Sequence, residues 1–153
     1  SDSSSMKKNL LKFVCATLWC WAATTVFAAD EVKVSAAWVR TTAPGQRVAG
    51  AYLQITSNVP AKLIAASSPL AGNVEIHSMS MNNGVMQMRQ LDILDLPGNK
   101  TVTLEPGGLH LMLLDLKKPL TDGDKVPLRL ILQRAGGDKK IIEVQATVRN
   151  TAP

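Results

Sequence analysis

The chain has 153 residues, 46% of them hydrophobic, and a formal net charge of +5 at pH 7. Its length allows one domain around a single core. The basic residues are scattered and aromatics make up only 4%, so there is no nucleic-acid footprint.

Residues 1–5 (S-D-S-S-S) precede the first methionine and are set aside as foreign to the fold. Residues 6–28 read as a secretory signal: Lys7 and Lys8, an apolar stretch from Leu10 to Ala23, then Val26 and Ala28 as the small residues of a cleavage site. Lys12 interrupts the apolar run, which falls short of the about 20 residues a spanning helix needs, so no stable membrane insertion is expected after cleavage. Neither Cys15 nor Cys20 sits in a lipoprotein signal pattern, and no lipid anchor is expected. The remaining domain, residues 29–153, has 14 basic and 11 acidic residues and no cysteine. That excludes disulfides, catalytic thiols, zinc fingers and the blue-copper electron-transfer site, which needs a thiolate.

Short alternating runs follow, broken by Gly, Pro, Asn and Asp. Strands are expected at Val32–Val39, Val48–Thr56, Lys62–Ser67, Asn73–Met81, Val85–Leu91, Thr101–Glu105, Leu109–Leu116 and Lys125–Arg134, with a last one through Ile142, Val144, Ala146 and Val148. In the second run Ala49, Ala51, Leu53 and Ile55 share one face, and in the eighth Val126, Leu128, Leu130 and Leu132 do so. About nine strands without a helical period predict a single-domain, all-β Greek-key sandwich.

Against this plain background one stretch stands out. Residues 75–112 hold five of the six methionines (79, 81, 86, 88 and 112) and both histidines, His77 and His110. Asn83-Gly84 predicts a two-residue type I′ hairpin, which sets Met81 opposite Met86, Met79 opposite Met88, and His77 diagonal to Met88. His110 and Met112 share a strand face, turned away from Leu109, Leu111 and Leu113, and are expected on the outer face or at the sheet end. Methionine is ordinarily a gap-filler in cores, yet this spacing avoids the leucine face. Thioethers and imidazoles without a thiol suit Cu(I), or Ag(I) as its surrogate, whereas Ca²⁺ and Mg²⁺ want oxygen ligands and Zn²⁺ rarely takes methionine. Glu75 is the one carboxylate on the His77 face. Met79, Met81 and Met86 are open to three roles, as auxiliary ligands, a soft apolar rim or plain packing, and of these the rim is the one expected.

His77, Met88, His110 and Met112 spell H-x10-M-x21-H-x-M. Together with A-W-V-R-T-T-A-P-G-Q (37–46), G-A-Y-L-Q-I (50–55) and P-G-G-L-H-L-M-L-L-D-L-K-K-P-L (106–120), this pattern resembles the periplasmic copper chaperones of the PCuAC (DUF461) family across the whole exported domain. The resemblance implies a cupredoxin-like β-sandwich, not an enzyme. It implies a periplasmic monomer binding one Cu(I) through His77, Met88, His110 and Met112, and delivery toward the binuclear centre of cytochrome c oxidase subunit II, alongside a Sco-type protein. Some members bind Cu(II) through a His/Met-rich C-terminal extension, which is not seen after Asn150. The alternative within the same chemistry is a copper-buffering or resistance protein with no dedicated acceptor.

Overall fold

A computed structural model describes residues 31–153, so the segments 1–5 and 6–28, with Cys15 and Cys20, lie outside the described residues. The described chain forms ten strands: β1 (Val32–Arg40), β2 (Ala49–Ser57), β3 (Ala61–Ser67), β4 (Ala71–Asn82), β5 (Val85–Leu91), β6 (Leu94–Leu96), β7 (Lys100–Leu104), β8 (His110–Leu116), β9 (Lys125–Arg134) and β10 (Lys139–Arg149). Nine of them correspond to the expected runs. The tenth, β6, escapes a sequence reading because three residues between turn signals are too few to establish an alternation. It is nevertheless a structural element, since Leu94 and Leu96 are buried and pair with Leu63 and Ala61 of β3.

The strands run in the order β5-β4-β8-β2-β1-β10-β9-β3-β6, and a further β3–β4 pairing at Ala66 and Val74 closes the sheet on itself. Closure removes most free edges, which would otherwise invite pairing with other chains. Most neighbours are not consecutive in sequence, as Greek-key connections require. β2 is shared along its length, pairing with β8 through residues 49–51 and with β7 through residues 53–57. All pairings are antiparallel except β1 with β10, where Trp38 lies beside Thr147. A bulge between Ser35 and Trp38, with Ala36 at φ 53°, resets the phase of β1 so that Trp38 and Val39 are both buried, on opposite faces.

Inside the barrel, the in-phase leucines and valines meet. Leu53, Ile55, Leu111, Leu113, Leu128, Leu130, Leu132 and Val148 have at most 1% of their surface exposed. Interiors pack like crystals, so a methyl group lost here leaves a void. Leu113→Ala is expected to cost about 2–5 kcal/mol, read as a lower midpoint in urea unfolding with an unchanged slope. Because Leu111 and Leu113 take the core, the alternation of β8 forces His110 and Met112 onto the other face.

Candidate metal centre

The hairpin fixes half of the site. Asn83 and Gly84 adopt φ 50° and φ 78°, the two positive values a type I′ turn needs, and the register follows: Met81 opposite Met86, Met79 opposite Met88, His77 opposite Gln90. On its other edge β4 pairs with β8, and there His77 lies directly opposite His110, and Glu75 opposite Met112. The two sequence-distant clusters therefore meet across one pair of strands. His77 is central, with His110 across from it and Met112 and Met88 on its two diagonals. The imidazole centroids are 5.4 Å apart, edge to face.

Each imidazole is held by one nitrogen and unpartnered at the other. His77 Nε2 donates to Glu75 Oε2 at 2.7 Å, and His110 Nδ1 donates to the carbonyl oxygen of Gly108 at 3.2 Å. A carbonyl can only accept, so the His110 tautomer is fixed with its lone pair on Nε2. His77 Nδ1 and His110 Nε2 are both buried with no hydrogen-bond partner. A buried polar atom left unsatisfied is costly, and two of them on facing rings form a matched pair of vacant donor atoms. Ring nitrogens anchored this way to a carboxylate and a backbone carbonyl are the usual outer support of metal-bound histidine.

His110 is not on an open outer face, as the sequence suggested; only 4% of its surface is exposed. The cover is aromatic. Trp38 of β1 and Tyr52 of β2 are register partners with rings 4.6 Å apart, and Tyr52 is 6.4 Å from His110. Trp38, Tyr52, His110 and His77 thus form one row across four adjacent strands. Gly50, the partner of Met112, makes room for it: a Cβ there would lie 2.5 Å from the Tyr52 hydroxyl oxygen. Sequence reasoning missed Trp38, Tyr52 and Gly50 as parts of the site, although all three lie in the A-W-V-R and G-A-Y-L motifs.

Burial under this cover pushes the His110 imidazole below its ordinary value of 6.5, partly opposed by the Gly108 hydrogen bond and aided by repulsion from His77. The folded state then binds fewer protons than the unfolded state as pH falls through about 6.5, so His110 makes the fold less stable on acidification until its depressed folded pKa is passed. The unfolding midpoint should fall between about pH 7.5 and about pH 5.5, and less steeply in His110→Gln. An equal slope in both proteins would refute that assignment.

Met88 is 47% exposed, Met112 half-buried. Among the described residues no group of three or more His, Cys, Asp or Glu converges, so the metal-binding chemistry of this site rests on imidazole and thioether together. Also among the described residues, no helix is long and apolar enough to cross a membrane.

A closed Greek-key barrel with two paired imidazoles, largely buried and flanked by thioethers, defines the class: a cupredoxin-like domain with a soft-ligand constellation and no thiolate among the described residues. The chain belongs to the LpqE-like family, described as putative lipoprotein LpqE-like, whose pattern it matches over residues 32–148. It is 34% identical over 103 residues to the putative lipoprotein Lxx21020 of Leifsonia xyli subsp. xyli, covering 67% of this chain and 62% of that one. The chain spans between half and two thirds of the length of the curated relatives it matches. Among solved structures it is similar to the apo PCuAC domain from PmoF1 (28% identity, TM-score 0.61, 83% of this chain and 98% of that one). It is likewise similar to the solution structure of CuI-DR1885 from Deinococcus radiodurans (29% identity, TM-score 0.56, 85% and 84%). The expected family and fold are borne out.

Proposed function

We propose that this protein is an extracytoplasmic Cu(I) metallochaperone that holds one ion through His77 Nδ1, His110 Nε2 and the sulfurs of Met88 and Met112. The observation that carries the reading is the pair of buried, unpartnered imidazole nitrogens on rings whose centroids lie 5.4 Å apart, with two methionines on the diagonals of His77. The copper-bound form of a structural relative supports the choice of metal. All four donors bind without shedding a charge-bearing proton, and thioether sulfur favours Cu(I) over harder ions.

Delivery follows from asymmetry. The histidines are braced by Glu75 and Gly108, and the aromatic row keeps water from His110. Met88 stands on an exposed hairpin, so its sulfur is the first to be exchanged for an acceptor's ligand. Cu(I) can then pass over one bond at a time, without being released as a free ion. Binding and transfer, not catalysis of a reaction, is the role of such a site. The signal at residues 6–28 would take the domain (29–153) to the periplasm. The acceptor there is proposed to be the binuclear copper centre of cytochrome c oxidase subunit II, with a Sco-type thiol protein as co-worker.

The test is an anaerobic titration of the protein with Cu(I) against a competing Cu(I) chelator. One ion per chain withheld from the chelator, with X-ray absorption showing nitrogen and sulfur in the first shell, is the expected result. Failure to compete would overturn the chaperone reading. Tight binding without transfer to an oxidase subunit II domain would leave copper storage as the function.

A further inference from the structure

The four hairpin methionines are too many for the site just described, which uses only Met88. Their placement is regular. Met79 and Met81 on β4 and Met86 and Met88 on β5 all lie on one face of the hairpin, the face that carries His77. The other face carries Ser78, Ser80, Gln87 and Arg89. β8 pairs with β4 as far as His77, and one further hydrogen bond, from the Met79 N–H to the Gly108 carbonyl oxygen at 3.1 Å, ties the hairpin to the barrel. Among the described residues the backbone ties end there, and the tip from Met81 to Met88 is exposed. Met81, Met86 and Met88 are 65%, 45% and 47% exposed, and with Val85 they make up four of the seven large exposed hydrophobics among the described residues. Packing does not account for these three methionines, since a gap-filling methionine is buried and they are not; Met79, nearer the barrel, is half-buried.

We propose that Met79, Met81 and Met86 form a second, all-thioether site for a soft monovalent cation, Cu(I) or Ag(I), on the exposed hairpin next to the histidine site. Met81 and Met86 are direct cross-strand partners, with Cβ atoms about 5 Å apart, and Met79 is the diagonal neighbour of Met86. Methionine has three rotatable bonds, enough for three sulfurs to close on one ion in trigonal fashion. No carboxylate, imidazole or thiol belongs to the set, so it offers nothing to Ca²⁺, Mg²⁺ or Zn²⁺. Being neutral and solvent-exposed, it binds more weakly than the histidine site and exchanges faster. Met88 bridges the two: it faces Met79 directly and His77 diagonally. An ion caught on the hairpin tip can therefore step from Met79 to Met88 and on to His77, with sulfur or nitrogen in contact throughout. The second site does not depend on the histidine reading; only its role as a loading position does.

The experiment uses the protein with 13C-methyl-labelled methionine, titrated with Ag(I) in chloride-free buffer and followed by NMR. The expected result is biphasic. The first equivalent moves the Met88 and Met112 methyls, and the second moves those of Met79, Met81 and Met86 together. The triple variant Met79→Leu, Met81→Leu, Met86→Leu keeps the apolar volume; it should take up the first equivalent as before and lose the second. In His110→Ala the Met79, Met81 and Met86 shifts should persist, which separates failure of the histidine site from failure of this one. The proposal is overturned if those three methyls stay unmoved in excess Ag(I), if Zn²⁺ moves them equally, or if the triple leucine variant still takes a second ion.

Discussion

His110→Ala should abolish tight Cu(I) retention, weakening it by more than the about 10–100-fold typical of losing an outer-shell partner. His110 supplies a nitrogen that is buried, tautomerically fixed by Gly108 and directly opposite His77. Its neighbour on the barrel side is the Tyr52 ring, itself stacked on Trp38, and neither offers an imidazole nitrogen in its place. The substitution also leaves a void beneath Tyr52 into which water can enter, and water is a poor partner for Cu(I). Met88→Ala is the instructive contrast. Met88 is exposed, and Met79 is its direct cross-strand neighbour, so a replacement sulfur is at hand and the loss should be smaller. The measurement is competition with a Cu(I) chelator, both variants checked for an unchanged fold. If His110→Ala retained copper as well as the parent, the pairing of imidazoles would have no role in binding.

Glu75→Ala should lower Cu(I) affinity about 10–100-fold without changing the atoms bound to copper. Glu75 Oε2 accepts the His77 Nε2 hydrogen, which leaves Nδ1 as the donor atom and holds the ring across from His110. The carboxylate also adds electron density to the ring through that hydrogen bond. Glu75→Gln can still accept the bond through its amide oxygen but has no charge, so it should recover part of the loss. X-ray absorption discriminates the roles. An unchanged nitrogen–sulfur first shell in Glu75→Ala marks a positioning residue; disappearance of an oxygen scatterer would make Glu75 itself a ligand.

The register of the hairpin was legible because Asn83-Gly84 is one of the few dipeptides that dictates both a turn type and the pairing that follows from it. The alternation in β8 likewise revealed which face His110 and Met112 occupy, since Leu111 and Leu113 could hardly face water. What joined the two clusters was not legible. The pairing of β4 with β8 bridges two strands not adjacent in sequence, and no local signal sets its register. The same holds for the aromatic cover, where a β-bulge at Ser35–Trp38 puts Trp38 in phase with Tyr52. The hydrogen bond from His110 to Gly108 depends on the bend of the 106–108 turn, and sequence patterns do not encode backbone carbonyl directions. Glu75 could be singled out as a carboxylate on the right face, but whether it would bind metal or brace a histidine is decided by a side-chain rotamer.

The parallel pairing of β1 with β10 has a consequence for the order of assembly. It joins the first and last described strands, and such a contact forms only after the entropy of closing nearly the whole chain into a loop has been overcome. A hairpin such as β4–β5 needs no such wait and can zip up within microseconds of leaving the ribosome or translocon. Thioethers are therefore displayed early, on a local element, whereas the cover over His110 depends on Trp38, on a strand whose outer neighbour is synthesised last. Under the proposed function, a growing chain would be able to touch soft metal without sealing it in. Tight retention is then expected to appear together with amide protection of β1 rather than with that of the hairpin, so that only a finished molecule would commit itself to a cargo.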